Sequence, residues 1–224
     1  MKEFFPVFEK CPLFDNIRQE DLSAMLACLG ARVTVFQKNQ AIFQEGEPAK
    51  YVGIVLSGAA QIVREDYYGN RSIVARIEPA ELFGESFACA GVQALPVSVV
   101  AVADSQILLI DCQRITVSCS SACSFHNQMI FNLLRVVATK NLIFHQKIEI
   151  TSRRTTREKL MAYLLAQAKL HGTSSFTIPY DRQALADYLG VERSAMSAEI
   201  SKLRRDGVID CTKSRFTLLS PDSH

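Results

Sequence analysis

From Ser124 to Ser152 this 224-residue chain contains neither glycine nor proline, and its apolar residues recur with helical spacing. Ile130, Leu134, Val137, Phe144 and Ile148 step by fours and threes, with Asn141 in the one remaining place of the series. Such a pattern is the a/d seam of a coiled coil, about 2.5 heptads long. If Leu134 and Ile148 are a positions, Asn141 is one too, and a buried asparagine there favours two-stranded, in-register pairing at some cost in stability. The segment therefore predicts a parallel homodimer with these six residues as its seam. Leu133, Val136, Leu142 and Ile143 widen the apolar face beyond a bare seam, so the same helix can also pack against a neighbouring domain.

The residues before the seam have a different period. Between Val33 and Asp111, short β-rich runs alternate with glycine-bearing turns; the runs are Tyr51 to Leu56, Ala60 to Arg64, Ser72 to Ile77, Val97 to Val102 and Gln106 to Ile110. Closely spaced strands separated by turn residues indicate an antiparallel roll or barrel and not βαβ units. Residues 12–30 read as short helices, because Leu22, Met25, Leu26 and Leu29 are three and four apart. After the seam, Thr151 to Arg157 is a polar, basic hinge. A second helix follows from Glu158 to Leu170, stopped by Gly172, and then a short strand within residues 174–179.

Charge is divided unevenly along the chain. Residues 1–139 carry 11 Lys and Arg against 14 Asp and Glu, whereas residues 140–215 carry 14 against 8. A basic C-terminal region suits a partner made of phosphates, since each neutralised phosphate releases a counterion. No apolar run reaches the length of a membrane span, and Met1 to Pro6 lacks the long apolar core of a secretory leader, so a cytoplasmic protein with no membrane partner is expected. The seven cysteines are odd in number and scattered, which argues against a disulfide framework.

The most informative segment lies within the basic region. Asp181 can cap a helix from Arg182 to Leu189, Gly190 supplies a turn, and a second helix runs from about Arg193 to Arg205. Ala186 lets the two helices approach, Gly190 permits positive φ, and Met196 anchors the second helix over Leu185, Leu189, Ile200 and Leu203. Val208 to Leu218 then reads as a hairpin, the wing of a winged helix-turn-helix. The expected fold class is α+β, with an N-terminal antiparallel β-roll over residues 1–123, a dimerisation helix over 124–152 and a DNA-binding domain over 153–224.

Taken together, residues 10–218 resemble the CRP/FNR family of bacterial transcription regulators. The resemblance rests on Phe43 to Val52 with Ile54 to Gly58, on Leu82-Phe83-Gly84-Glu85, and on Asp181 to Ser194. It implies a cyclic-nucleotide-binding-like roll, a small effector, a homodimer on an inverted-repeat operator in double-stranded DNA and, for an activator, contact with RNA polymerase. In cyclic-AMP-binding members a glutamate after Phe-Gly accepts from the ribose, and an Arg-Ser pair about ten residues later holds the phosphate. Gly84 and Glu85 match the first feature, but Leu95-Pro96 stand at the second. Leu142-Ile143 occupy the helix positions where those members offer Thr-Ser to the base. A buried phosphate without a cation or hydroxyl loses charge-assisted hydrogen bonds worth about 1.5–3 kcal/mol each. Cyclic AMP is therefore not the expected effector. Glu85 is then either a partner for another ligand, such as a small acid or aromatic, or a structural acceptor for turn amides.

Oxygen-sensing members hold an iron–sulfur cluster through closely spaced N-terminal cysteines, and Cys11 and Cys28 are too sparse for that. The sequence names no cofactor and no metal site, and His126 and His145 lack companion ligands. Cys119 and Cys123, four apart, leave open a thiol- or metal-based redox sensor. A regulatory subunit acting on a protein partner is a further alternative. No Ser/His/Asp set or phosphate loop appears at usable spacing, so an enzyme is not expected.

Within the helix-turn-helix, Glu192, Arg193, Ser194 and Ser197 fall nearest the base edges, and Arg193 suits a bidentate contact to guanine. Family members commonly have glutamate at the position of Ser194 and arginine at that of Ala198, so the usual half-site does not carry over. Arg182, Gln183, Lys202, Lys213 and Arg215 are placed to meet phosphate.

Overall fold

Two-sided burial explains the continuous apolar runs of the N-terminal half. The computed structural model describes residues 2–65, 67–68, 71–116 and 124–219. Its strands there are β1 (Arg32–Phe36), β2 (Ala41–Phe43), β3 (Tyr51–Ser57), β4 (Ala60–Glu65), β5 (Arg71–Ile77), β6 (Leu82–Phe83), β7 (Ser98–Ala101) and β8 (Ser105–Asp111). They form two antiparallel sheets ordered β1-β8-β3-β6 and β2-β7-β4-β5. Every residue from Val52 to Leu56 is buried or lines a packed face of β3. Val55, Ile107 and Leu109 join Phe36, Phe43, Phe83, Leu95 and Val99 in one core. Val52, Ile54, Leu108 and Ile110 point the other way, into a second core shared with helices. Period-two alternation persists, but both faces are apolar because both are covered.

The covering helices are α1 (Phe5–Phe8), α2 (Gln19–Cys28), α3 (Glu85–Cys89), α4 (Cys112–Thr116) and the first half of α5 (Ser124–Thr151). Met129, Leu133 and Val136 of α5 enter the second core. On the same stripe, Asn132 is wholly buried; its Nδ2 donates to the carbonyls of Leu13 (2.9 Å) and Asp15 (2.8 Å), and its Oδ1 accepts from Gln128. Arg135 pairs with Asp15 beside it. The N-terminal segment is thus tied to α5 by a satisfied polar network, which fixes register where apolar packing alone would allow sliding.

The chain divides into two compact units, residues 1–140 and 141–224. The second contains the end of α5, α6 (Thr156–His171), β9 (Ser175–Thr177), α7 (Arg182–Leu189), α8 (Arg193–Arg205), β10 (Ile209–Thr212) and β11 (Arg215–Leu218), with an antiparallel sheet ordered β10-β11-β9. A capping box starts α6: Thr155 Oγ1 accepts from the Glu158 amide, and the Glu158 carboxylate accepts from the Thr155 amide. A cap of this kind stabilises a helix by about 1 kcal/mol. Tyr163, Tyr180 and Tyr188 cluster at 5.1–6.2 Å between ring centroids, and Lys147 of α5 lies 5.1 Å above the Tyr188 ring. Burial pushes the phenol of Tyr163 above its ordinary range.

The seam residues do not coincide with the packed stripe of α5. Leu134, Phe144 and Ile148 are 61–65% exposed, Asn141 is exposed, and Ile130 and Val137 are half-buried. One stripe faces the β-roll and another is left open, because positions 129, 133 and 136 are rotated about the helix from 130, 134 and 137. Among the described residues no helix is long and apolar enough to cross a membrane.

Candidate nucleic-acid interface and effector cavity

The C-terminal unit presents its cations on a rigid frame. The Asp181 carboxylate accepts from the Ala184 amide at 2.8 Å and starts α7. Gly190 ends that helix at φ 62°, in the left-handed region open to glycine, and α8 begins three residues later. Leu185, Ala186, Leu189, Met196 and Leu203 are fully buried, so α8 cannot roll on α7. Glu192, Arg193 and Ser194 are exposed at the start of α8, and Ser197 is half-exposed one turn on. Arg193 makes no ion pair or side-chain hydrogen bond with the described residues and is free to reach a partner.

The flanking cations are not equivalent. Lys202, Lys213 and Arg215 are exposed, and Lys213 sits at the tip of the β10–β11 hairpin with φ 52°. Arg204 pairs with Asp210 at 3.3 Å. Gln183 donates to Asp187 at 2.9 Å but remains exposed. The Arg182 guanidinium stacks 5.0 Å from the centre of the Phe216 ring and donates to Cys211 Sγ at 3.3 Å. These contacts brace α7 against the wing, with Arg182 itself half-buried.

In the N-terminal unit, a cavity of about 620 Å³ opens beside β1 and β2. Phe36, Phe43, Leu95 and Leu109 line its apolar wall, with Arg32, Thr34, Glu47, Lys50 and Tyr51 as its polar groups. Arg32 and Lys50 lie 4.8 Å and 5.4 Å from the centre of the Tyr51 ring. Gly84 forms part of the wall at φ 79°; a Cβ there would meet the Phe43 ring at 2.7 Å and the Tyr51 carbonyl at 3.0 Å. Of the effector residues expected from sequence, the cavity gathers Gly84 and Leu95. Pro96, Leu142 and Ile143 are exposed.

Glu85 is not among the cavity's lining residues, and its carboxylate is engaged by side chains. It is 2% exposed, and its Oε1 accepts from Lys140 Nζ at 2.8 Å and from Ser86 Oγ at 3.2 Å, not from turn amides. Lys140 Nζ donates as well to the Leu82 carbonyl at 2.9 Å. Glu85 Oε2 has no hydrogen-bond partner among the described residues. Lys140 escaped the sequence reading, although a cation one turn beyond Val136 on the roll-facing stripe was a usable signal. Cys119 and Cys123 lie outside the described residues.

Residues 33–119 match the family described as cyclic nucleotide-binding domain, and residues 158–223 match the Crp-like helix-turn-helix domain. The chain is 26% identical over 200 residues to the transcriptional activator protein FnrL of Cereibacter sphaeroides, spanning 83% of this chain and 75% of that one. It is 26% identical over 205 residues to the nitrogen fixation regulation protein FixK of Azorhizobium caulinodans, spanning 87% and 77%. Its fold is similar to that of the c-di-GMP responsive global regulator CLP of Xanthomonas campestris, with a TM-score of 0.56 at 16% identity, covering 88% of this chain and 99% of that one.

Proposed function

This chain belongs to the CRP/FNR family of transcription regulators, and from that premise we propose that it works as a homodimer that reads an inverted repeat through Arg193. The observation that carries this reading is the exposed, unengaged Arg193 at the start of a helix whose other face is locked by Met196 and Leu203. A guanidinium so placed donates two parallel hydrogen bonds to guanine O6 and N7. Ser194, Ser197 and Glu192 shape the neighbouring positions, while Gln183, Lys202, Lys213 and Arg215 neutralise phosphates. Two-fold symmetry sets half-sites about 34 Å apart.

Selection of bound duplexes from random DNA, followed by salt titrations on the selected and scrambled sites, tests this. Arg193→Ala is expected to lose about 1–3 kcal/mol and to relax preference at one base pair per half-site. Lys213→Ala is expected to weaken every sequence alike and to lower the salt slope by about 1. Equal losses for both variants on both sites would remove Arg193 from base readout.

The effector on this reading is a small organic acid or aromatic in the 620 Å³ cavity, its ring against Phe36 and Phe43 and its charge toward Arg32 and Lys50. Cyclic AMP is disfavoured because Lys140 already engages the carboxylate that would receive the ribose hydroxyl. Calorimetry with cyclic AMP is expected to give no micromolar binding; a micromolar isotherm coupled to tighter DNA binding would overturn this. An iron–sulfur cluster is not part of the reading, and neither is an enzymatic activity. RNA polymerase is the further partner if the operator's position makes the protein an activator.

A further inference from the structure

Two cysteines far apart in sequence meet in the N-terminal unit. Cys89 ends α3 and is exposed, whereas Cys112 begins α4 and is 4% exposed; their Sγ atoms are 3.7 Å apart. Cys112 is held in place by its own backbone, since its amide donates to the Lys50 carbonyl at 3.0 Å and its carbonyl accepts from Thr116 Oγ1 at 3.1 Å. The arrangement pairs an accessible thiol with a fixed, shielded one at van der Waals contact. A disulfide needs about 2.05 Å between sulfurs, so the two must still draw together for the bond to form.

We infer that Cys89 and Cys112 form a peroxide-reactive dithiol, with Cys89 the attacking thiol and Cys112 the resolving one. In the first step the Cys89 thiolate attacks one oxygen of a hydroperoxide and the O–O bond breaks. Cys89 becomes a sulfenic acid and hydroxide leaves, or alkoxide from an organic peroxide. In the second, the Cys112 sulfur attacks the Cys89 sulfur, the S–O bond breaks, and the departing hydroxide takes the Cys112 proton as water. For hydrogen peroxide, two thiols lose two electrons and two protons in all, and the peroxide becomes two waters. Reduction by an external dithiol reverses the change.

The surroundings distinguish this pair from Cys11 and Cys28. Hydrogen bonding from the Cys112 thiol lowers the Cys89 thiol below its ordinary range, against opposing effects of burial and of the Glu85 charge. The same bond and burial raise Cys112, keeping it a proton donor until it resolves. Burial pushes the Cys11 thiol up to about 12, which makes it inert. Cys28 is exposed, like Cys89, but makes no thiol contact among the described residues, so it serves as an internal control.

The test treats the full-length protein with one to a few equivalents of hydrogen peroxide, blocks remaining thiols, and maps peptides without reduction. A linked pair containing Cys89 and Cys112 is expected, with Cys28 still free and the link reversed by dithiothreitol. Cys112→Ser is expected to leave a dimedone-reactive sulfenic acid at Cys89, and Cys89→Ser to abolish the link. The unmutated protein alone decides the main point, so a variant that fails to fold does not rescue the inference. Oxidation of Cys28 in step with Cys89, a link confined to Cys119 and Cys123, or an unreacted Cys89 would each overturn it.

Discussion

Replacing Leu134 and Phe144 together by glutamate is expected to yield a folded monomer whose affinity for a two-half-site operator falls by about 10²-fold or more. In the single chain these side chains are 65% and 61% exposed, so charging them removes little intrachain packing. In a paired seam they would occupy a and d positions, where four like charges at the interface are incompatible with association. Losing the second half-site contact forfeits the gain of tethered binding, which runs from about 10² to 10⁴ without any new contact. Sedimentation velocity and a mobility shift on the same preparations check both parts. Circular dichroism unchanged from the parent would confirm that folding was spared. A variant that stays dimeric, or a monomer that keeps the parent's affinity, would count against the seam.

The second large effect is expected at Lys140. Lys140→Met leaves Glu85 buried at 2% exposure with no cation, and one of its oxygens already has no partner among the described residues. Removing one partner of a buried pair costs about 3–5 kcal/mol; the Lys140 side chain is 37% exposed, so solvent screening moves the expectation toward about 2–3 kcal/mol. Glu85→Gln combined with Lys140→Met is expected to recover much of that loss, because no charge is then stranded. Denaturant unfolding of the N-terminal unit in the two single variants and the double one completes the cycle. Additive losses would mean that Glu85 and Lys140 do not interact energetically, and the 2.8 Å contact between them would carry no stability.

What was legible in the sequence was whatever depends on neighbours in the chain. The Asp181 cap, the Gly190 turn and the Met196 anchor are local geometry, and each stands where the spacing placed it. The long helix was legible because it lacks breakers, and the β-roll because its turns carry glycine. The strands' double-sided burial was not foreseen, since an apolar run looks the same whether one face or two are covered. The site details that escaped are contacts across the fold. Lys140 meets Glu85 from 55 positions away, Cys89 meets Cys112 from 23 away, and Arg182 finds Phe216 on the wing. The cavity draws Arg32, Phe36, Phe43 and Lys50 from β1 and from β2 with the loop beyond it, whereas family spacing directed attention to the turn at Gly84 and Leu95. Pairing register decides such meetings, and register is set by the whole sheet.

Sedimentation equilibrium of the unmutated protein, alone over a wide concentration range and then mixed with a duplex carrying its selected inverted repeat, addresses the central claim. Two chains per particle without DNA, and two chains per duplex with it, are expected. A single-chain mass at every concentration, or saturation at one chain per two-half-site duplex, would contradict a dimer that presents paired Arg193 helices.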